Sequence, residues 1–415
     1  MFRSRLVILL LGASLSAPAA SAQERRQPTI ELTFPGALAL AREQAADLTT
    51  ARARANVARS ALGAASIWTF NPQLEASAGP RFASLERSVD WSVGARQWLE
   101  LGGQRGDRMA AARAELDAAE ARAEDAERLV LREVGLVFAR ALYWRRQVEL
   151  AGEDLRIAEE IARVARRRHE VGDVGGLEES VASLALERAR IGQARAIAAR
   201  HRSEGRLKML LGLGPEVAIV TRGELRQLGL PPAQTLDQAP PADAPARADI
   251  RALEAEIRGA EAEAELGRAH RVPDLALGAS FSREESASIL SAGVTVSLPF
   301  FDRGQGTTAV ASARRAGLAA EREGVRRSAA IEVQTAAVTS QQLAAAAGEF
   351  EAGGLATLER AERVATASYQ AGAMPLGELL AVRRELVQAR ADYTDLLLAA
   401  ATARVELLAS TGGFE

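Results

Sequence analysis

The chain contains no cysteine at all, which excludes disulfides, thiolate zinc sites and lipid attachment through an N-terminal cysteine. Aromatic residues make up only 4% of its 415 residues, too few for the bulky core of a large globule. Net charge is also scarce, at −2, so no basic field points to nucleic acid. There are three histidines, His169, His201 and His270, and they are scattered without metal-ligand spacing. The segment "GGQRGDR" lacks the GxxxxGK[ST] spacing of a phosphate loop, and no GxSxG elbow occurs. Glu178-Glu179 and Glu284-Glu285 are sequence neighbours, whose side chains diverge on a helix or strand. The sequence therefore predicts neither an enzyme nor a cofactor site. No segment after the N-terminus offers the roughly 20 apolar residues of a membrane helix. If the mature chain crosses a bilayer, it must do so as strands.

Several specific signals are present. "MFRSRLVILLLGASLSAPAASAQ" sets Arg3 and Arg5 before an apolar run from Leu6 to Leu15, then Ala-Ser-Ala at 20–22. The run is too short to span a bilayer, so residues 1–22 read as an export signal removed before Gln23, rather than as a buried helix.

Beyond it the chain repeats itself. "HEVGDVGGLEES" at 169–180 is answered by "YQAGAMPLGELL" at 369–380, pairing Gly172 with Gly372 and Glu178 with Glu378. "NPQLEASAG" at 71–79 is answered by "VPDLALGAS" at 272–280, and "KMLLG" at 208–212 by "ELLASTG" at 406–412. The offset stays within a residue or two of 200, which indicates duplication, because chance matches would scatter. Residues 23–230 form the first repeat and 246–415 the second. The Pro-rich stretch 231–245 between them reads as an extended linker.

Each repeat reads as helix, two strands, very long helix, turn, helix. No proline falls between Arg81 and Gly214, and Asp107 to Arg168 is rich in Ala, Arg, Glu and Leu. As one helix those 62 residues would run about 93 Å. Thr307 to Ser368 has the same length, with a kink expected at Gly353-Gly354. Gly172 and Gly372 supply the helix stops, and return helices follow at 177–211 and 376–410. Helices this long need neighbours along their whole length, in a bundle or coiled coil. Taken alone, they also fit a soluble periplasmic scaffold.

The strands, about 72–99 and 273–299, alternate apolar with small or polar residues. Leu290, Ala292, Val294 and Val296 interleave with Ser291, Gly293 and Thr295. Each is about ten residues long, the reach of a tilted transmembrane strand. Trp91 and Trp98 suit a lipid interface, and "ASLER" (83–87) and "REESAS" (283–288) read as polar connections. Four strands cannot close a barrel, so several copies must share one. Three copies give twelve strands, an even number in the usual range.

With the repeat, "LPFFDRGQG" (298–306), "YQAGAMPLGELLAVRRELVQARADY" (369–393) and "LLGLGP" (210–215), the chain resembles the TolC-like outer-membrane efflux factors of Gram-negative bacteria. The resemblance implies a mostly α fold with a small β part: a trimeric β-barrel in the outer membrane, continued by a periplasmic α-helical barrel. It implies a homotrimer docked onto a periplasmic adaptor and a proton-driven inner-membrane pump, passing metal cations or drugs outward. "WLELGGQRGDR" (98–108) is similar to the branch serving heavy-metal efflux. A protein-secretion channel is the alternative within the same fold. The resemblance places the adaptor contact at Val171, Gly172, Asp173, Val174, Ala371, Gly372, Ala373 and Met374. It puts Glu378 and its counterpart Glu178 at a narrowed periplasmic mouth, with Ala381 where relatives hold a second acid. Three copies of Glu378 around a narrow axis would attract cations. Ordinary exposed charges near a helix start are the plainer reading of both glutamates.

Overall fold

In the computed structural model, residues 29–82, 87–230 and 247–414 are described. The expected export signal, the linker and most of the first strand connection lie outside them. The longest element is α3, Gln104–Glu170, 67 residues or about 100 Å of unbroken helix. Its composition sustains it: alanine and long straight-chain residues lose little freedom in a helix. Asp107 sits in the first turn and Arg167, Arg168 and His169 in the last, each opposing the local end of the macrodipole.

The remaining elements follow in order. A short strand β1 (Thr29–Leu32) leads into helices α1 (Phe34–Gln44) and α2 (Ala46–Ala65). Strands β2 (Gln73–Phe82) and β3 (Arg87–Leu99) precede α3, which turns back as α4 (Gly176–Leu210). Strand β4 (Ala218–Thr221) and helix α5 (Leu225–Gly229) close the first half. The second half holds α6 (Ala248–Ala269), β5 (Leu275–Glu284), β6 (Ala287–Val296), α7 (Gln305–Glu349), α8 (Leu355–Gln370) and α9 (Leu376–Thr411).

Several expectations change. The single opening helix is two helices, α1 and α2. β1 and β4, which the sequence reading missed, pair in parallel from Thr29↔Ala218 to Leu32↔Thr221. The second long helix is interrupted by a π-helical turn, Phe350–Gly354, at the glycine pair suspected of a kink. The expected connection 283–288 shrinks to the two residues Glu285 and Ser286, with Glu285 in the left-handed region at φ 54°.

The four longer strands form one antiparallel sheet in the order β2-β3-β5-β6. The register carries the alternation across all four. Ala76, Val93, Phe281 and Leu290 lie in one row, and Leu275 faces Val296. The opposite face carries Ser77, Ser92, Gly94, Ser280 and Ser291, with the Ser77 and Ser92 hydroxyls 2.9 Å apart. Trp91 lies on the apolar face, 5.6 Å from Phe281. Trp98 does not: seven residues on, it falls on the other face, opposite Ala276, and packs on Phe70. Among the described residues the outer edges of β2 and β6 have no partner. Among the same described residues no helix is long and apolar enough to cross a membrane.

On the sheet side α3 packs between α2 and α6, and α6 against α7; toward the turns it packs between α4 and α9. Two buried clusters hold this assembly. The larger gathers Leu48, Val134, Phe138, Leu207, Leu211 and Val405 where α3 and α9 meet the β1–β4 pair. Gly135 lets α3 and α9 close in there, since a Cβ would stand 2.8 Å from Val405. The smaller cluster, at the far end, contains Ile161, Ala165, Ala182, Tyr369, Leu376 and Leu379. Between them α3 has no fully buried residue from 143 to 157.

Candidate functional site at the hairpin tips

Both helical hairpins turn by the same local device. After α3, the Gly172 N–H donates to the His169 carbonyl and the Asp173 N–H to the Arg168 carbonyl, at 3.0 and 2.9 Å. After α8, Gly372 and Ala373 donate to Tyr369 and Ser368 at the same distances. This six-to-one closure needs a left-handed residue at its centre, which Gly172 (φ 77°) and Gly372 (φ 75°) provide. The smaller cluster joins the hairpins: Ile161 and Ala165 from α3, Ala182 from α4, Tyr369 from α8, and Leu376 and Leu379 from α9. The two tips therefore stand side by side.

They differ in chemistry. At the first tip, Arg168 Nε donates to Asp173 at 2.6 Å and its Nη1 reaches Glu178 at 3.4 Å. The Asp173 hydrogen bond, foremost, raises the Arg168 pKa above its ordinary value. Arg166 approaches Glu179 at 3.5 Å, and the His169 ring donates through Nδ1 to the Val174 carbonyl at 3.1 Å. Among the described residues no three His, Asp or Glu side chains converge as a metal-ligand set.

The second tip carries Ala371, Gly372, Ala373 and Met374, with no charge until Glu378. Glu378 is exposed on the first turn of α9, between buried Leu376 and Leu379, and has no ion-pair partner among the described residues. The paired glutamates of the repeat are thus not equivalent. Glu178 is engaged by Arg168, whereas the counterpart of Arg168 at the second tip is Ser368, which cannot answer Glu378.

Above the tips sits a polar girdle that sequence reading missed. Arg383 of α9 bonds Asp154 of α3 at 2.7 Å, and Arg390 of α9 bonds Glu362 of α8 at 2.5 Å. Burial, partly offset by Asp154, lowers the Arg383 pKa from its ordinary value. Higher still, the Tyr143 hydroxyl donates to Asp395 at 2.7 Å, and burial together with that bond raises the phenol to about 12. Arg190, which stands 200 positions before Arg390 in the other repeat, pairs among the described residues only with Glu187 in its own helix. Position alone did not reveal which of the two reaches across. Cavities of about 570 Å³ and 630 Å³ flank α3 and α9 at this level.

This architecture has known counterparts. CzcC of Cupriavidus metallidurans, a cobalt-zinc-cadmium resistance protein, is 28% identical over 304 residues, covering 72% of this chain and 71% of its own. Protein CyaE of Bordetella pertussis is 30% identical over 337 residues, covering 75% and 68%. A crystal structure of CusC shares the fold with a TM-score of 0.74 at 20% identity, covering 92% of both chains. Residues 37–213 and 245–413 match the family model of outer membrane efflux proteins, and to that family this chain belongs.

Proposed function

We propose that the chain is the outer-membrane exit duct of a tripartite efflux system, carrying toxic metal cations from an inner-membrane pump through the periplasm to the outside. One observation carries the reading. A four-stranded sheet with an apolar face, a Ser- and Gly-lined face and two open edges is fused to helices of about 100 Å. Such a sheet is stable in lipid only when neighbouring copies satisfy its edges. Three copies supply twelve strands, and the internal repeat makes their helical wall nearly six-fold. Residues 1–22 direct export and are removed; 231–245 link the repeats.

In this reading Glu378 rings the periplasmic mouth and Glu178 contributes less, because Arg168 already answers its charge. The adaptor meets two unlike tips: Val171, Gly172, Asp173 and Val174 beside the charged Arg168 network, and the uncharged Ala371, Gly372, Ala373 and Met374. CzcC is named for cobalt, zinc and cadmium resistance, which favours metals over drugs as cargo. Transport energy then comes from the partner pump, which in this reading is proton-driven, since the chain itself offers no nucleotide-binding motif.

Deleting the gene and measuring growth across a panel of metals and drugs tests the proposal. Lowered tolerance to divalent metals is expected; unchanged tolerance to every compound overturns it. In planar bilayers, Glu378→Lys should shift selectivity from cations toward anions. A variant with the parent's selectivity would remove Glu378 from the mouth.

A further inference from the structure

Two loops join the sheet to the helices, residues 66–72 before β2 and 297–304 after β6, and both invert the usual loop chemistry. Apart from Phe70, which packs on Trp98, their large apolar side chains point outward. Phe301 is 96% exposed, Phe300 68% and Trp68 60%, with Ile67 and Leu298 similarly bare. Four of their backbone carbonyls are meanwhile satisfied by side chains of the chain itself. Arg105 Nε donates to the Ser66 carbonyl at 2.9 Å, and Gln97 Nε2 to that of Phe70 at 3.0 Å. In the second loop Arg303 Nε donates to the Pro299 carbonyl at 3.2 Å, and Gln305 Nε2 to that of Phe301 at 2.9 Å.

A loop standing in water needs neither feature, because water satisfies exposed carbonyls and apolar rings avoid it. Both are required where water is scarce. Leu298 has the same strand parity as Leu290, Val294 and Val296, so the second loop prolongs the apolar face of the sheet. Arg105 and Arg303 are tied to the backbone of these same loops, and among the described residues neither forms an ion pair with a carboxylate. Aromatic rings next to uncompensated arginines match the boundary between acyl chains and phosphate headgroups.

We propose that these two loops are a preformed anchor seated in the phospholipid leaflet on the helix side of the sheet, rings at the acyl boundary and guanidinium groups toward lipid phosphate. The anchor sets the depth of the sheet in a chain that has no cysteine to acylate. It rests on the reading of the sheet as a membrane wall. It also accounts for the "LPFFDRGQG" motif, whose two phenylalanine rings stand largely bare of the described residues.

The same lack of cysteine makes the test clean. Phe301→Cys and Ile67→Cys variants of the full chain are labelled with bimane and reconstituted into phospholipid vesicles. The vesicles contain phosphatidylcholine brominated near the headgroup or near the chain end. Flotation first shows whether the protein enters the bilayer, and failure there sinks the membrane-wall reading itself. With the protein inserted, shallow bromines should quench both labels more strongly than deep ones. Labels quenched instead by aqueous iodide would overturn the anchor by placing the loops in water. Labels shielded from bromine and iodide alike would overturn it by placing a second copy over them.

Discussion

Arg168, Tyr143 and the two tip glycines show how much single side chains decide in a protein made mostly of repeated helix. The tip glycines are fixed by backbone geometry rather than space, since nothing lies within 4 Å of a Cβ at either. Gly172→Ala or Gly372→Ala should cost about 1–2 kcal/mol by forcing an L-residue into the left-handed region. Faster amide exchange over 368–376 or 168–176 would report it. Gly377→Ala, in the first turn of α9 with an ordinary φ, should be neutral or slightly stabilising. Tyr143 gives a pH test. Its folded pKa of about 12 lies above the unfolded value of about 10, so between them the folded state holds the proton that the unfolded state releases. Stability should therefore be full below pH ~10 and fall as pH rises toward ~12. Tyr143→Phe should abolish that slope in alkaline denaturation.

At the scale of elements, the π-helical turn is the informative one. Gly354 is required there because a Cβ would stand 2.9 Å from the Phe350 ring, which itself stacks on Tyr393 at 4.9 Å. Gly354→Ala should destabilise by about 1–3 kcal/mol through overpacking, whereas Gly353→Ala meets nothing within 4 Å. Thermal unfolding of both variants in detergent separates the two glycines. The pair was visible in the sequence, but the widened turn was not, because it depends on the ring packed against it. The same contrast holds elsewhere. A long proline-free run and a glycine stop determine α3 locally, and period-two alternation determines the strands. β1 and β4 have four residues each and meet across 189 positions, so neither shows a period and the pairing is entirely non-local. The face of Trp98 was legible: an odd separation from Trp91 places it opposite. The girdle was not, because Arg383 and Asp154 are 229 residues apart and ordinary in their own helices.

For the whole molecule, the distribution of buried residues matters more than their number. The large cluster around Phe138 and the small one around Tyr369 are separated by a stretch where α3 has no fully buried residue and where Arg383–Asp154, Arg390–Glu362 and Arg226–Glu351 bridge between helices. Ion pairs weaken with salt, whereas apolar packing does not. Hydrogen exchange should therefore resolve two units, the tip end opening first, and molar salt should widen the gap between them. Uniform protection along α3 would contradict this division. The two bare strand margins have a different consequence. A ribbon that can be lengthened from both sides must either curl until its last strand meets its first or continue as a fibre. Tilt and twist of the strands, rather than any one side chain, then select between a finite pore and an aggregate. A substitution that merely flattened the sheet would be harmful without touching a single contact named above.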